Sequence, residues 1–304
     1  MPNVRIATFN VENLFARYRF KQQLEPESGF TINELAFEIY DEREKRLTAQ
    51  AIREVRADVL CLQEVESLPV LDRFASEFLA SLGYRHRLLI DGNDPRYIDV
   101  AVMSKYPILG CRSHRSMRNK ANTAALFSRD CLEVEIELQK GKEPITLYVN
   151  HFLSMMTGRD ASHARRKEQA DAVAAIVDAR WKGRGYDGNF AVLGDFNDYL
   201  EGKTGIGALA KHSQLVNVVT RMPKAEQWTH YWAGGNEYRQ IDFLLLGKAL
   251  DKRAGHPTPK ILRKGLPFRA TRYAGDRFED VGQDNPKSSD HCPVSIDIPT
   301  EALL

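Results

Sequence analysis

The feature that most constrains the fold is a series of short apolar runs that each end in polar residues, with amphipathic stretches between them. Residues 4–10 and 58–63 are two such runs, and they read as buried strands. Between them, residues 33–55 carry Leu35, Ile39, Leu47, Ala51, Ile52 and Val55 at approximately helical spacing, with charges on the other side. The grammar is strand, helix, strand. It recurs where strand-like residues 145–150 and 190–194 flank a helical stretch over 164–181.

The middle of the chain reads differently. Residues 99–103, 124–127 and 132–138 (LEVEIEL) predict neighbouring antiparallel strands, and the strict alternation of the last implies one wet face. Late strands are expected over 240–246 and 293–298, with turn-rich breaks at 183–188 and 234–236. No internal repeat or low-complexity tract is evident. This mixture at 304 residues fits one domain, 1–304, of the α/β class: a two-sheet sandwich with helices outside.

Composition narrows the function classes. Lys and Arg number 43 against 41 Asp and Glu, so a net charge of +2 gives no global field for a polyanion, and nucleic-acid binding would rest on local patches. Cys61, Cys111, Cys131 and Cys292 are widely spaced, without a zinc-type pair, and are expected to be reduced thiols. No stretch approaches the roughly 18 apolar residues of a membrane span. The first apolar run reads as a strand rather than a signal segment, so a cytoplasmic protein is the default expectation, although a secreted chain trimmed of its signal would read the same. Nothing indicates an obligate protein partner.

Chemistry concentrates at the strand ends. Asn10 and Glu12 follow RIATF, Glu64 follows VLCLQ, His151 follows ITLYVN, Asp195 and Asn197 follow FAVLG, Asp242 lies in QIDFLLL, and Asp290 and His291 precede CPVSI. One strand-end carboxylate is as readily a cap or turn residue as a functional one. Six such ends together are hard to explain as caps. Phosphoester hydrolysis is very slow unaided and needs charge management at both the attacking water and the phosphate. Asn10, Glu64, Asp290 and, less securely, Glu12 offer oxygen donors suited to Mg2+ or Mn2+. Asp195 is placed to orient and deprotonate a water, and Asn197 to donate to that water or to the phosphate. His151 would donate to a nonbridging oxygen, and Asp242 would hold the His291 imidazole in one tautomer.

The ordered motifs TFNVENL (8–14), LQEVE (62–66), VNHFLS (149–154), LGDFND (193–198), QIDFLLL (240–246) and SSDHCPV (288–294) resemble the endonuclease/exonuclease/phosphatase superfamily, the DNase I-like hydrolases. The resemblance implies a four-layered α/β sandwich, two mixed and largely antiparallel central sheets with helices outside. It also implies Asn10, Glu64 and Asp290 at the metal, His151 and Asn197 at the phosphate, Asp195 as base or water-orienter, and His291 paired with Asp242. Glu12 stands where some relatives carry an acidic residue.

The fold hosts several substrate classes. Motif detail looks more like bacterial metal-dependent nucleases, so the leading expectation is a Mg2+- or Mn2+-dependent nuclease with nucleic acid as substrate. The alternative is a phosphatase or phosphodiesterase for a small or lipid-linked phosphate, and a catalytically dead binding module is a third reading. Between Lys252 and Tyr273 there are seven basic residues and no acidic one, which makes Lys260, Arg263 and Lys264 the expected polyanion contacts. The basic segments with Arg17, Tyr18, Arg19, Phe20 and Lys21, and with His114, Arg115, Arg118 and Lys120, read more simply as solvated surface, and Arg165 and Arg166, at the start of a helix, as ordinary surface pairing. Met155 and Met156 read as packing.

Overall fold

The computed structural model describes residues 3–20 and 35–304. The first half of the chain forms β1 (Asn3–Leu14), β2 (Ala16–Phe20), β3 (Leu35–Ile39), α1 (Glu42–Val55), β4 (Val59–Val65), α2 (Leu68–Phe78), β5 (His86–Leu89) and β6 (Asp99–Ser104). There follow β7 (Ile108–Ser113), β8 (Cys131–Ile136), β9 (Ile145–His151), α3 (Arg159–Trp181), β10 (Phe190–Asp195), β11 (Leu215–Asn217), β12 (His230–Trp232), β13 (Glu237–Arg239), β14 (Asp242–Gly247), β15 (Lys260–Ile261) and β16 (Val294–Pro299).

Two six-stranded sheets result, ordered β15-β16-β1-β4-β6-β5 and β11-β14-β10-β9-β8-β7. Each contains one parallel pair, β1 with β4 and β9 with β10, and every other neighbour is antiparallel. Both parallel pairs need a crossover, which α1 and α3 supply. The two strand-helix-strand units seen in the sequence are therefore the centres of the two sheets.

Alternation along the strands explains the layers. In β1 and β4, Val4, Ile6, Val59 and Cys61 face the second sheet, while Ala7, Phe9, Leu60 and Leu62 meet Leu47, Ile52, Val70 and Phe74 of α1 and α2. In β10, Ala191 and Leu193 face inward, whereas Phe190 and Val192 pack beneath Val173, Val177 and Trp181 of α3. Strands covered on both faces read as unbroken apolar runs. The architecture is the expected four-layered α/β sandwich.

Several local expectations change. Residues 35–39 are not the start of a helix but a strand paired with β2; α1 begins only at Glu42, where Asp41 caps it by accepting from the Glu44 N–H, and residues 33–34 lie outside the described residues. Residues 124–127 form a single bridge, Arg118 to Ala125, because side chains of Arg165 and Gln169 take the Ala125 and Leu126 carbonyls. The alternating face of β8 is wet only in part: Glu133 is 4% exposed and Arg180 of α3 pairs with it and with Glu135, while Glu135 and Glu137 are half-buried. Arg166 is fully buried against Asp198 rather than on the surface, and Met156 is 84% exposed rather than packed. Lys21 lies outside the described residues.

Candidate active site

The ends of β1, β4, β9 and β10 and the starts of β14 and β16 share one rim. There Asp195 pairs across the ladder with His151 on one side and Asp242 on the other. Gly194, at φ +130°, is required for this approach, since any side chain would collide with the Asn150 carbonyl. Glu64 (φ +66°) and Asn197 (φ +49°) hold left-handed backbone that non-glycine residues seldom adopt, a strain typical of residues aimed at a reaction.

Asn10 is the hub. Its Nδ2 donates to Glu64 Oε1 (3.1 Å) and to Asp195 Oδ2 (3.0 Å), and its Oδ1 accepts from the Glu12 N–H (3.0 Å). Asp195 also accepts from the Asn197 N–H (2.8 Å) and Nδ2 (3.0 Å), and His151 Nε2 lies 3.5 Å from its Oδ2. His291 Nδ1 lies 2.9 Å from Asp242 Oδ2, which in turn accepts from Thr229 Oγ1 (2.7 Å). That leaves His291 Nε2 facing Asp195 and Asp290, each at 3.8 Å. All the expected catalytic residues therefore meet.

Electrostatics divide the groups. Burial raises Asp195 to about 7, with Asp242 adding to the shift and the charge of His291 opposing it. Burial alone would lower His291, yet Asp242 and Asp195 hold it well above an ordinary histidine. His151 moves the other way, well below the ordinary value, through burial and the nearby Arg129 and His291 charges. Asp290 is held below the usual carboxylate range against the effect of burial, by His230 first and then His291. One imidazole is thus cationic and the other neutral.

Glu12 meets Lys287 Nζ at 2.5 Å and accepts from the Asp290 N–H at 2.9 Å, so both of its oxygens are engaged in holding the loop before β16. Burial and then Asp290 raise it to about 7. Carboxylates crowded on one rim suit a divalent cation, which would relieve their repulsion. The donors are oxygens and imidazole nitrogens, and Cys292 turns away to pack with Trp228 and Tyr231. The donor atoms of His230, Asp290 and His291 lie within 4.8 Å of one another, as do those of Asp195, Asp242 and His291.

His230 has no strand-end motif and went unnoticed in the sequence; β12 brings its ring 4.6 Å from that of His291 and its Nε2 3.5 Å from Asp290. Lys45 was hidden on the charged side of a helix. It is buried, and its Nζ donates to the Val11 (2.6 Å) and Glu12 (2.7 Å) carbonyls, fixing the chain just past Asn10. The LGDFND turn is pinned by Asp198, which pairs with Arg159 (2.7 Å) and Arg166 (3.3 Å).

Of the expected polyanion contacts, one is buried and two are paired with acids at the surface. Arg263 is 7% exposed, donates to Glu226 and to the Trp228 carbonyl, and lies over the Trp228 ring. Lys260 pairs with Asp297 and Lys264 with Glu54. Their segment lacks acids in sequence, but the fold brings acids to it.

The α/β sandwich thus gathers carboxylates, amides and a paired imidazole on one rim. The chain belongs to the Endonuclease/Exonuclease/phosphatase family, which it matches over residues 5–297. Members of the family hydrolyse phosphoester bonds and generally use divalent metals. No curated protein matches the sequence. Among solved structures, the human Nocturnin catalytic domain with bound sulfate is 16% identical at a TM-score of 0.63, covering 98% of this chain and 94% of that one. A family protein from Bacteroides thetaiotaomicron is 13% identical at 0.61, covering 98% of both. D. rerio TDP2, complexed with single strand DNA product, is 17% identical at 0.58, covering 98% and 99%. Among the described residues no helix is long and apolar enough to cross a membrane.

Proposed function

We propose that the protein is a Mg2+- or Mn2+-dependent nuclease that hydrolyses phosphodiester bonds by in-line attack of water. The observation that carries this reading is the meeting of Asp195, the Asp242–His291 pair and the Asn10–Glu64 pair on one rim, with Asp290 beside His291. Asn10, Glu64 and Asp290 would hold the ion, with His230 beside them; Glu12 shapes that set by gripping the Asp290 backbone. When bound, the ion would supply Lewis-acid polarisation of the phosphate and charge neutralisation for the leaving oxygen.

The protein's own groups do the rest. Asp195, lifted to about 7, is poised to accept a proton from water near neutrality, and Asn197 fixes the orientation of its carboxylate. Cationic His291 places positive charge where the phosphoryl oxygens gather negative charge, and Asp242 keeps it there. Neutral His151 lies beside Glu64 and Asp195 as a donor to a nonbridging oxygen.

The test is a panel of plasmid, single-stranded DNA, RNA, bis(p-nitrophenyl) phosphate, p-nitrophenyl phosphate and inositol phosphates with Mg2+ or Mn2+. Turnover of polynucleotide is the expected result. Turnover of an inositol phosphate or lipid headgroup without cleavage of polynucleotide would replace the nuclease reading with a phosphatase or phosphodiesterase one.

A further inference from the structure

We propose that the loop over residues 91–98 is a subsite for single-stranded polynucleotide, in which Arg96 takes a phosphate next to the scissile one, Tyr97 stacks on a base and Arg115 continues the track. The proposal rests on the nuclease reading and adds where the substrate strand runs.

The loop is placed by the sheet. Asp99, the first residue of β6, pairs with Val65, and the ladder shifts register between Gln63 and Val65, so Glu64 is the extra residue at the bulge. Residues 96–98 therefore enter the sheet beside Glu64. The backbone of Ile98 faces His151, and the charge of Arg96 reaches both Glu64 and His151.

Arg96 is held ready rather than merely exposed. The Asp94 carboxylate accepts from its Nε (3.1 Å), its Nη2 (3.1 Å) and its backbone N–H (3.0 Å). On the other side, buried Arg129 places its Nε 3.2 Å from Asp94 Oδ2. Two guanidinium groups share the single Asp94 carboxylate, so it does not fully neutralise either of them. Nη1 of Arg96 has no hydrogen-bond partner among the described residues, and the side chain is 51% exposed. An immobilised, half-neutralised guanidinium is suited to a phosphate.

Tyr97 stands at φ +55° and is 62% exposed. A bulky residue in that conformation costs strain, and exposure returns no packing energy for it. An aromatic face presented next to an arginine is the arrangement that binds single strands, whose bases are free to stack. Asn93 joins this loop to the basic segment, since its Nδ2 donates to the Arg115 carbonyl (2.8 Å) and the Phe127 carbonyl (2.9 Å). Arg115 and Arg118 are exposed and make no ion pair among the described residues, in contrast to Lys260, Arg263 and Lys264.

The experiment measures binding of a fluorescein-labelled single-stranded oligonucleotide across a salt series in EDTA, and kcat/KM for oligonucleotide relative to bis(p-nitrophenyl) phosphate in Mg2+. Arg96→Gln should lower the magnitude of the log–log salt slope by about 0.7, one released counterion on a single strand. Tyr97→Gly suits the left-handed backbone, so it should fold, and it should weaken binding about tenfold. In both variants the selectivity ratio should fall, with melting temperature as the check on folding. Unchanged affinity, slope and ratio in both variants, beside an unmodified protein that binds and cuts polynucleotide, overturns the subsite and leaves the nuclease reading standing. Failure of the unmodified protein to bind or cut polynucleotide overturns both. Loss in Tyr97→Gly of binding to phosphatidylserine vesicles, with oligonucleotide binding intact, overturns the subsite in favour of a membrane surface.

Discussion

His291 and Asp242 form a buried imidazole–carboxylate pair, Nδ1 to Oδ2 at 2.9 Å, in which the aspartate is itself held by Thr229 Oγ1. The pair fixes which ring nitrogen is left for chemistry and keeps the ring charged. His291→Ala should lower kcat by roughly 100-fold with little change in KM. Asp242→Asn should lower it less, about tenfold, because the ring stays while its charge and tautomer are mis-set. Steady-state kinetics check both, and a change confined to KM would reassign the pair to binding.

The carboxylates around Asn10 lead to a second expectation. EDTA should abolish hydrolysis, and Mg2+ or Mn2+ should restore it. Glu64→Gln removes an anion and leaves one oxygen to accept from either the Asn13 N–H or Asn10 Nδ2, so Mn2+ affinity measured by calorimetry should fall about tenfold or more. Full activity in a metal-stripped sample would remove the cation from the scheme.

Most of the site was legible because its residues sit at the ends of apolar strands, and strands covered on both faces announce themselves. Glu64, His151, Asp195 and Asp242 all follow that pattern, and Asn10 ends the apolar run although β1 continues past it to Leu14. His230 did not, because it lies on a three-residue strand in a turn-rich segment and reaches Asp290 only through the tertiary fold. Lys45 and Arg166 were hidden because a charged residue on a helix reads as solvated until the groups it bonds are known. The partners of the basic segment from Lys252 were hidden for the converse reason. Local sequence shows which charges are near in the chain, whereas Glu54, Glu226 and Asp297 arrive from elsewhere.

Asp99, opposite Val65 at the start of β6, supplies a pH dependence of stability. Burial, aided by Asp91, Asp94 and Asp130, raises it from 3.8 to about 6, although the Gly92 N–H bonds its Oδ1 at 3.0 Å. A carboxyl with a raised folded value binds protons more tightly in the folded state, so its contribution worsens as pH rises from about 4 to about 6 and is constant above. Asp99→Asn keeps the oxygen acceptor and removes the buried charge. Thermal melts should show the variant gaining on the parent protein across that window, by at most about 3 kcal/mol. A difference that did not vary with pH would show that Asp99 titrates near its unfolded value.

Arg263 separates structural from substrate-binding charge. Its guanidinium donates to Glu226 Oε2 (3.1 Å), the Glu226 carbonyl (2.6 Å) and the Trp228 carbonyl (2.9 Å), and it stacks over the Trp228 ring at 4.2 Å. Removing it leaves two carbonyls unsatisfied and an aromatic uncovered in the segment that leads into β12 and His230. Arg263→Ala should therefore destabilise the protein by about 2–4 kcal/mol. Lys260→Ala should change stability by less than about 1 kcal/mol, because its pairing with Asp297 is largely exposed. Urea denaturation measures both. If Lys260 were a phosphate contact, its variant would instead flatten the salt slope of oligonucleotide binding by about 0.7 at unchanged stability. With Asp297 already serving Arg5 at 2.6 Å and Lys260 at 3.3 Å, the expected slope is that of the unmodified protein.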